Sequence, residues 1–210
     1  MSSIISHVYI SNILKEKYKL GDEFLYGAIL PDILHKAIKA QTKEMTHYLR
    51  HGILYGSEGN YPDIERFIIE NTEILPKSQM MQGYLAHLIE DMLWFSIYIP
   101  KMATEKDKKT IIYKKDNSIH TDDQFRSDIY SDYPIIDRYL LKKTNLNIEE
   151  LQKEFLAISD DAGLKNTIKE NFKLFDLRNE NLILISLDMF EEYINASLEK
   201  VSLVLNKIYR

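Results

Sequence analysis

Cysteine is absent from the 210-residue chain, which excludes disulfide bonds and thiolate metal ligands. Any zinc ion that binds here must therefore be held by histidine and carboxylate side chains. Glycine and proline are scarce, with 7 and 5 residues, so the chain lacks the many tight turns of a β-sandwich or barrel. Because 45% of the residues are hydrophobic, a chain of this length can bury a substantial core. These features predict an all-α fold, organised as a single domain over residues 1–210.

Long apolar runs and an excess of positive charge are also missing. No segment approaches the ~18 consecutive apolar residues of a membrane span, so none is predicted. The first residues, Met1 to Ser6, lack the basic start and apolar stretch of a signal peptide, and we expect a cytoplasmic protein. The net charge of -5 gives no general attraction for nucleic acid. We interpret the lysine-rich run at residues 105–115 as a solvated loop.

Apolar residues at helical spacing predict about seven to nine helices. The most apolar of these begins after Ser78, ends at Pro100 and has apolar residues nearly all round, so it should be central. A helix that begins near Asp22 is expected to stop at Pro31, which leaves Asp32 at a corner between helix and loop. Another is expected from Met45 to Gly56. Further helices are predicted over residues 4–20, 62–69, 121–143, 147–158, 161–175 and 180–208, with a short strand-like piece at Thr110 to Tyr113.

His87 and Asp91 are the most specific pair of polar residues in the chain. They lie four residues apart in the most apolar helix, so their side chains occupy one face about one turn apart. Polar groups are costly to bury without a partner, and an imidazole nitrogen and a carboxylate oxygen can share a metal ion. A hydrogen-bonded His–Asp pair in the core is the alternative interpretation.

Three further residues extend this pair to a candidate metal centre. Asp32 follows Pro31, although an aspartate there is also an ordinary helix cap. His47 and His51 are four residues apart and would share a helix face, as two ligands of one metal can. His7 lies early in the first predicted helix, where a surface histidine is the simpler interpretation.

The chain resembles the zinc-dependent phospholipase C family in the order of these residues: His7, Pro31-Asp32, Thr46-His47, then Gly83-Tyr84 with His87 and Asp91. That family is all-helical and is itself similar to the P1-type nucleases. The resemblance covers about residues 5 to 95, and its most specific element is the glycine followed by His-x-x-x-Asp. It implies a zinc-dependent phosphoric ester hydrolase that acts on a small phosphoester or a phospholipid.

The resemblance also implies a role for each residue. Asp32, His47, His87 and Asp91 would hold one Zn²⁺ ion, while His7 and Asp91 would hold a second, with Asp91 bridging the two. A water shared by the ions would be the nucleophile, and Asp32 would accept its proton. Other divalent metals suit the same donor set.

Two departures from the family pattern are visible in the sequence. Secreted members use an amino-terminal tryptophan as a metal ligand, whereas this chain has six residues before His7 and no tryptophan there. They also carry a third zinc ion, bound in part by a His-x-x-x-Glu pair. Here Gln124 follows His120 where the glutamate is expected, so we expect no third site and interpret His120 as a surface residue. His35 is an alternative to His47, but the Thr-His sequence favours His47.

Other classes fit the sequence less well. A helical interaction or scaffold protein with a residual metal site is the main alternative to the enzyme. An HD-type phosphohydrolase needs adjacent His and Asp, and no histidine here is directly followed by aspartate. A di-iron carboxylate bundle needs paired Glu-x-x-His elements, and Glu44 with His47 is a single match.

Overall fold

The computed structural model describes residues 3–49, 61–107, 110–144, 146–172 and 181–209. Helices make up most of these residues, which confirms the predicted all-α, multi-helix class. The α-helical segments are α1 Ile4–Tyr18, α2 Asp22–Ala37, α3 Lys43–Thr46, α4 Ile64–Glu70, α5 Gln79–Leu93, α6 Ile99–Met102, α7 Asp122–Lys143, α8 Ile148–Ile158, α9 Ala162–Asn171 and α10 Leu187–Ile208. A π-helical turn, Trp94–Tyr98, joins α5 to α6.

The contact between α2 and α5 is the centre of the fold. Every residue from Gln82 to Asp91 in α5 is buried, as expected for the most apolar helix. A Cβ atom added to Gly83 would lie 1.9 Å from the backbone oxygen of Phe24, and one added to Gly27 would lie 1.9 Å from that of Met80. The two backbones therefore meet at a pair of glycines, where no larger residue fits. This close approach brings His87 and Asp91 against α2.

Pro31 does not end α2, and the predicted stop at this residue is wrong. The helix continues to Ala37 with Pro31 inside it. A proline in a helix interior costs about 3 kcal/mol because it removes a backbone hydrogen bond. All ten residues from Phe24 to Ile33 are buried, so tertiary packing outweighs this cost. Asp32 consequently lies on a helix turn rather than at a corner.

The helix predicted from Met45 to Gly56 is also wrong in its described part. Thr42 caps α3, which ends after four residues at Thr46. His47 is the C-cap, and Tyr48 has a left-handed φ of 51° that no helix continues through. His47 is thus not on a helix face, and His51 lies outside the described residues.

Residues 103–107 and 110–121 contribute a small antiparallel sheet rather than only a loop. Its strands are β1 Ala103–Asp107, β2 Thr110–Tyr113 and β3 Ile119–Thr121, in the order β1-β2-β3. The strand expected at Thr110 to Tyr113 is therefore confirmed, and it has a partner on each side.

The carboxyl-terminal part of the chain closes the bundle. Pro134 lies inside α7, which is continuous, whereas α10 begins at Leu187 rather than near residue 180. The preceding segment is tied to α7 because Asp132 accepts backbone hydrogen bonds from Ile183, Leu184 and Ile185. Across the described ranges, no helix combines the length and the apolar character needed to cross a membrane.

Candidate metal centre

His87 is oriented by a backbone oxygen of the neighbouring helix. Its Nδ1 lies 2.7 Å from the carbonyl oxygen of Ala28, one residue beyond the glycine at the helix contact. A carbonyl oxygen only accepts, so Nδ1 carries the proton and donates it. In the neutral ring, Nε2 then presents a lone pair. This atom is buried and has no hydrogen-bond partner among the described residues.

Asp91 is buried without a hydrogen-bond donor. Neither carboxylate oxygen has a hydrogen-bond partner in the described part of the chain, and the residue is 0% exposed. Its Oδ2 lies 3.7 Å from Nε2 of both His47 and His87, and its Oδ1 lies 3.6 Å from Nε2 of His7. The two oxygens therefore face different histidines, as those of a bridging carboxylate do.

His47 reaches the cluster from the chain that follows α3. Its Nδ1 is 3.0 Å from the hydroxyl of Thr46, and its Nε2 is 3.2 Å from Oδ1 of Asp32. The hydroxyl of Tyr84, on α5, donates a hydrogen bond to the backbone oxygen of Thr46. This bond fixes the segment that carries His47 against the helix that carries His87.

His7 completes the cluster from α1. It is 0% exposed, so the surface interpretation of this residue does not hold. Its ring stacks on that of His87, with centroids 3.8 Å apart and planes 21° apart. Its Nδ1 lies 2.6 Å from Oε2 of Glu90, and its Nε2 faces Asp91.

The three imidazoles share one arrangement, although they come from three separate segments. In His7, His47 and His87, Nδ1 is hydrogen-bonded to a supporting group and Nε2 faces a carboxylate of the cluster. Histidines that bind metals are oriented in this way, because a hydrogen bond at one nitrogen fixes the tautomer that offers the other.

The separations within the cluster suit ligands of a common ion better than they suit hydrogen bonds. Ligands at 2.0–2.2 Å from a tetrahedral zinc ion lie about 3.3–3.6 Å from one another. The ligand atoms of His47, His87 and Asp91 fall within 4.8 Å of each other, and so do those of His7, Asp32 and His87. All five residues predicted as ligands thus meet in one buried place, and His87 belongs to both groups.

Burial keeps the imidazoles of His7 and His47 in the neutral form that binds metal. It lowers the pKa of His7 to about 3, with the neighbouring His87 adding to the effect, and it also lowers the pKa of His47. For Asp32, burial alone would raise the pKa, but the hydrogen bond with His47 and the surrounding imidazoles hold it well below its usual range. At neutral pH the cluster therefore combines neutral imidazoles at His7 and His47 with an ionised Asp32.

Glu90 is a residue of the centre that the sequence reasoning missed. It is 0% exposed in α5 and contacts His7. Burial and the adjacent Asp91 raise the pKa of its carboxyl well above the ordinary range. Its position beside the candidate ligand Asp91, in an otherwise apolar helix, could have marked Glu90 as a candidate residue of the site.

The remaining histidines lie outside the cluster or at its edge. His35 is one turn beyond Asp32; its Nδ1 is 3.0 Å from the oxygen of Pro31, and its ring lies 5.6 Å from that of His47. It belongs to neither group of candidate ligands, whereas His47 belongs to one of them. His120 is at the sheet, where it stacks on Tyr113 and contacts the hydroxyl of Ser118.

No protein-family model, curated protein or solved structure matches this chain. The resemblance to the zinc-dependent phospholipases C therefore stays a hypothesis that depends on the residues of the cluster.

Proposed function

We propose that the protein is a metal-dependent phosphoric ester hydrolase of the zinc-dependent phospholipase C type. The observation that carries this proposal is Asp91, a buried carboxylate that lacks any donor among the described residues but faces three imidazole nitrogens. An ionised carboxylate in such a place costs several kcal/mol unless a cation compensates it.

A divalent ion is the partner that fits these atoms. The lone pair of His87 Nε2 and the carboxylate of Asp91 would repel each other at 3.7 Å if nothing positive lay between them. Hydrogen bonding alone does not relieve this, because the proton of His87 is committed to Ala28. Nitrogen and oxygen donors without cysteine suit Zn²⁺, and also Mn²⁺ or Fe²⁺.

The proposed ligands divide into two positions. His47, His87, Oδ2 of Asp91 and the neighbouring Asp32 would hold one ion. His7 and Oδ1 of Asp91 would hold a second, which has fewer protein ligands and so would leave coordination positions for water and substrate. Asp91 would bridge the two positions.

Two divalent ions, when bound, supply an activated water and stabilise the charge that develops on the phosphoryl oxygens. The protein's own groups orient this chemistry. Asp32 is ionised at neutral pH, so it can accept a proton from an attacking water. A phosphoester, either a small diester or a phospholipid head group, is the substrate class for such a centre.

Elemental analysis combined with a phosphoesterase screen tests the proposal. The purified wild type should carry about two zinc equivalents and hydrolyse a phosphodiester such as bis-p-nitrophenyl phosphate. Asp91→Asn should remove most of the metal and at least 100-fold of the activity, since it takes away the bridging charge. Asp132→Asn is the matched control, because it changes an equally buried carboxylate whose hydrogen-bond donors in the described part of the chain are backbone N–H groups.

A structural metal site in a helical interaction protein is the second candidate. It is favoured by the burial of the five proposed ligands, none of which is more than 2% exposed. The same experiment separates the two candidates. Bound zinc without turnover of any phosphoester would support the structural site, whereas absence of bound metal would contradict both.

A further inference from the structure

Glu90 stands beside the centre but is not placed to bind the ions. Its Oε2 contacts Nδ1 of His7, whereas the other ring nitrogen, Nε2, faces Asp91. It belongs to neither group of candidate ligands. Its Oε1 is buried and has no hydrogen-bond partner among the described residues. A carboxyl group buried in this way is costly to keep, and the hydrogen bond that its described atoms make is to His7.

The contact determines what His7 can offer. When Oε2 of Glu90 accepts a hydrogen bond from Nδ1–H, the neutral ring presents its lone pair at Nε2, which faces Oδ1 of Asp91 at 3.6 Å. The stacking of His7 on His87 fixes the ring plane, but it does not select the tautomer. Glu90 is therefore the group that turns His7 into a ligand.

The other two imidazoles depend on groups that Glu90 does not touch. His87 is oriented by the Ala28 carbonyl, and His47 by Thr46. A loss of Glu90 should accordingly affect the position between His7 and Asp91 and leave the other position intact.

We propose that Glu90 is a positioning residue that orients His7 and thereby creates the second metal position. This inference rests on the proposed function, because it assumes that the cluster binds divalent ions. A carboxylate behind a metal-binding histidine also makes the imidazole a stronger donor. Glu90 consequently decides whether the centre binds one ion or two.

Zinc titration of the metal-free, full-length protein tests the inference. Wild type should bind two equivalents. Glu90→Gln keeps the volume but removes the carboxylate behind Nδ1, and its amide nitrogen can donate to Nδ1, which stabilises the tautomer that cannot bind at Nε2. The second equivalent should bind about 10- to 100-fold more weakly, as for other groups behind metal ligands, while the first changes less than about threefold. Asp132→Asn should bind both equivalents as wild type does.

Two readouts separate positioning from a purely structural role. With two equivalents of Co²⁺, wild type should show magnetic coupling between the ions, and Glu90→Gln should lose it. Without metal, Glu90→Gln should unfold at the same temperature as wild type or higher, because it removes a buried carboxylate oxygen that lacks a donor. Asp132→Asn should unfold at a lower temperature.

The outcomes distinguish this inference from the function on which it rests. A wild type that binds no divalent ion would overturn the proposed function. A wild type that binds two ions, together with Glu90→Gln that binds both equally well, would overturn only the role of Glu90. Loss of both equivalents and of metal-free stability in Glu90→Gln would likewise overturn the positioning role, since Glu90 would then be needed for folding.

Discussion

Alanine at Gly83 should force α2 and α5 apart and weaken metal binding at the proposed centre between them. The added Cβ would be 1.9 Å from the backbone oxygen of Phe24, and a Cβ contact under 3.0 Å is not sustained in real structures. The helices must therefore separate by at least 1.1 Å, the difference between these distances. The obstructing atoms belong to the backbone, so no side-chain rotation can relieve the clash.

The cost of Gly83→Ala follows from three terms. Overpacking of this kind costs about 1–3 kcal/mol, and a rigid backbone contact belongs at the upper end. Alanine regains about 1 kcal/mol of helix propensity. A shift of 1.1 Å would stretch the 2.7 Å bond from His87 to Ala28 beyond hydrogen-bond length, which costs about 1 kcal/mol. The net destabilisation is about 2–3 kcal/mol, or roughly 5–10 °C in the unfolding midpoint.

Denaturant unfolding of the metal-free protein and zinc titration measure these effects. Gly83→Ala should lower both the unfolding free energy and the zinc affinity, because the same shift releases His87. Gly163→Ala is the matched control, since its Cβ would meet only a side-chain oxygen at 3.1 Å and a carbonyl at 3.5 Å. That change should stay within about 1 kcal/mol. If Gly83→Ala were as stable as wild type, the close contact between α2 and α5 would be refuted.

Three further predictions concern the centre itself. In a zinc titration, His47→Ala should weaken binding at the first position at least 100-fold, whereas His35→Ala should still bind both zinc equivalents. The opposite result would make His35, and not His47, the ligand. A chelator should lower the thermal unfolding midpoint of wild type by several degrees, because the proposed centre would bind metal only in the folded chain. An unchanged midpoint would contradict metal binding at this centre. For the metal-free protein, the free energy of unfolding should fall by about 1 kcal/mol per pH unit as the pH is lowered from about 6.5 to 5. Burial lowers the pKa of His7 and His47, so these two residues take up protons in the unfolded chain but not in the folded one. The raised pKa of Glu90 acts in the opposite direction, because Glu90 keeps one proton in the folded state. An unfolding free energy that does not change with pH across this range would contradict the burial of neutral imidazoles at His7 and His47.

The part of the centre that could be predicted is the part that depends on local periodicity. His87 and Asp91 share a face because any α-helix stacks residues four apart, whatever surrounds it. Gly27 and Gly83 lie just before the candidate ligands Asp32 and His87 in the sequence, but only the tertiary structure shows that they allow the close contact between α2 and α5.

Other parts depended on packing that no local pattern encodes. The helix through Pro31 persists because its residues are buried on all sides, and this outweighs the intrinsic cost of proline. His47 sits at a C-cap because Tyr48 adopts a left-handed conformation. The partner of His7 lies 83 residues away in sequence, so no local pattern could link Glu90 to this histidine.

Anomalous diffraction at the zinc edge, from crystals grown with Zn²⁺, tests the central claim most directly because it locates the ions. We predict one peak within about 2.0–2.2 Å of His47, His87, Asp32 and Oδ2 of Asp91, and a second between His7 and Oδ1 of Asp91. Crystals of the folded protein with no zinc peak among these five side chains would contradict the metal centre and the proposed activity with it.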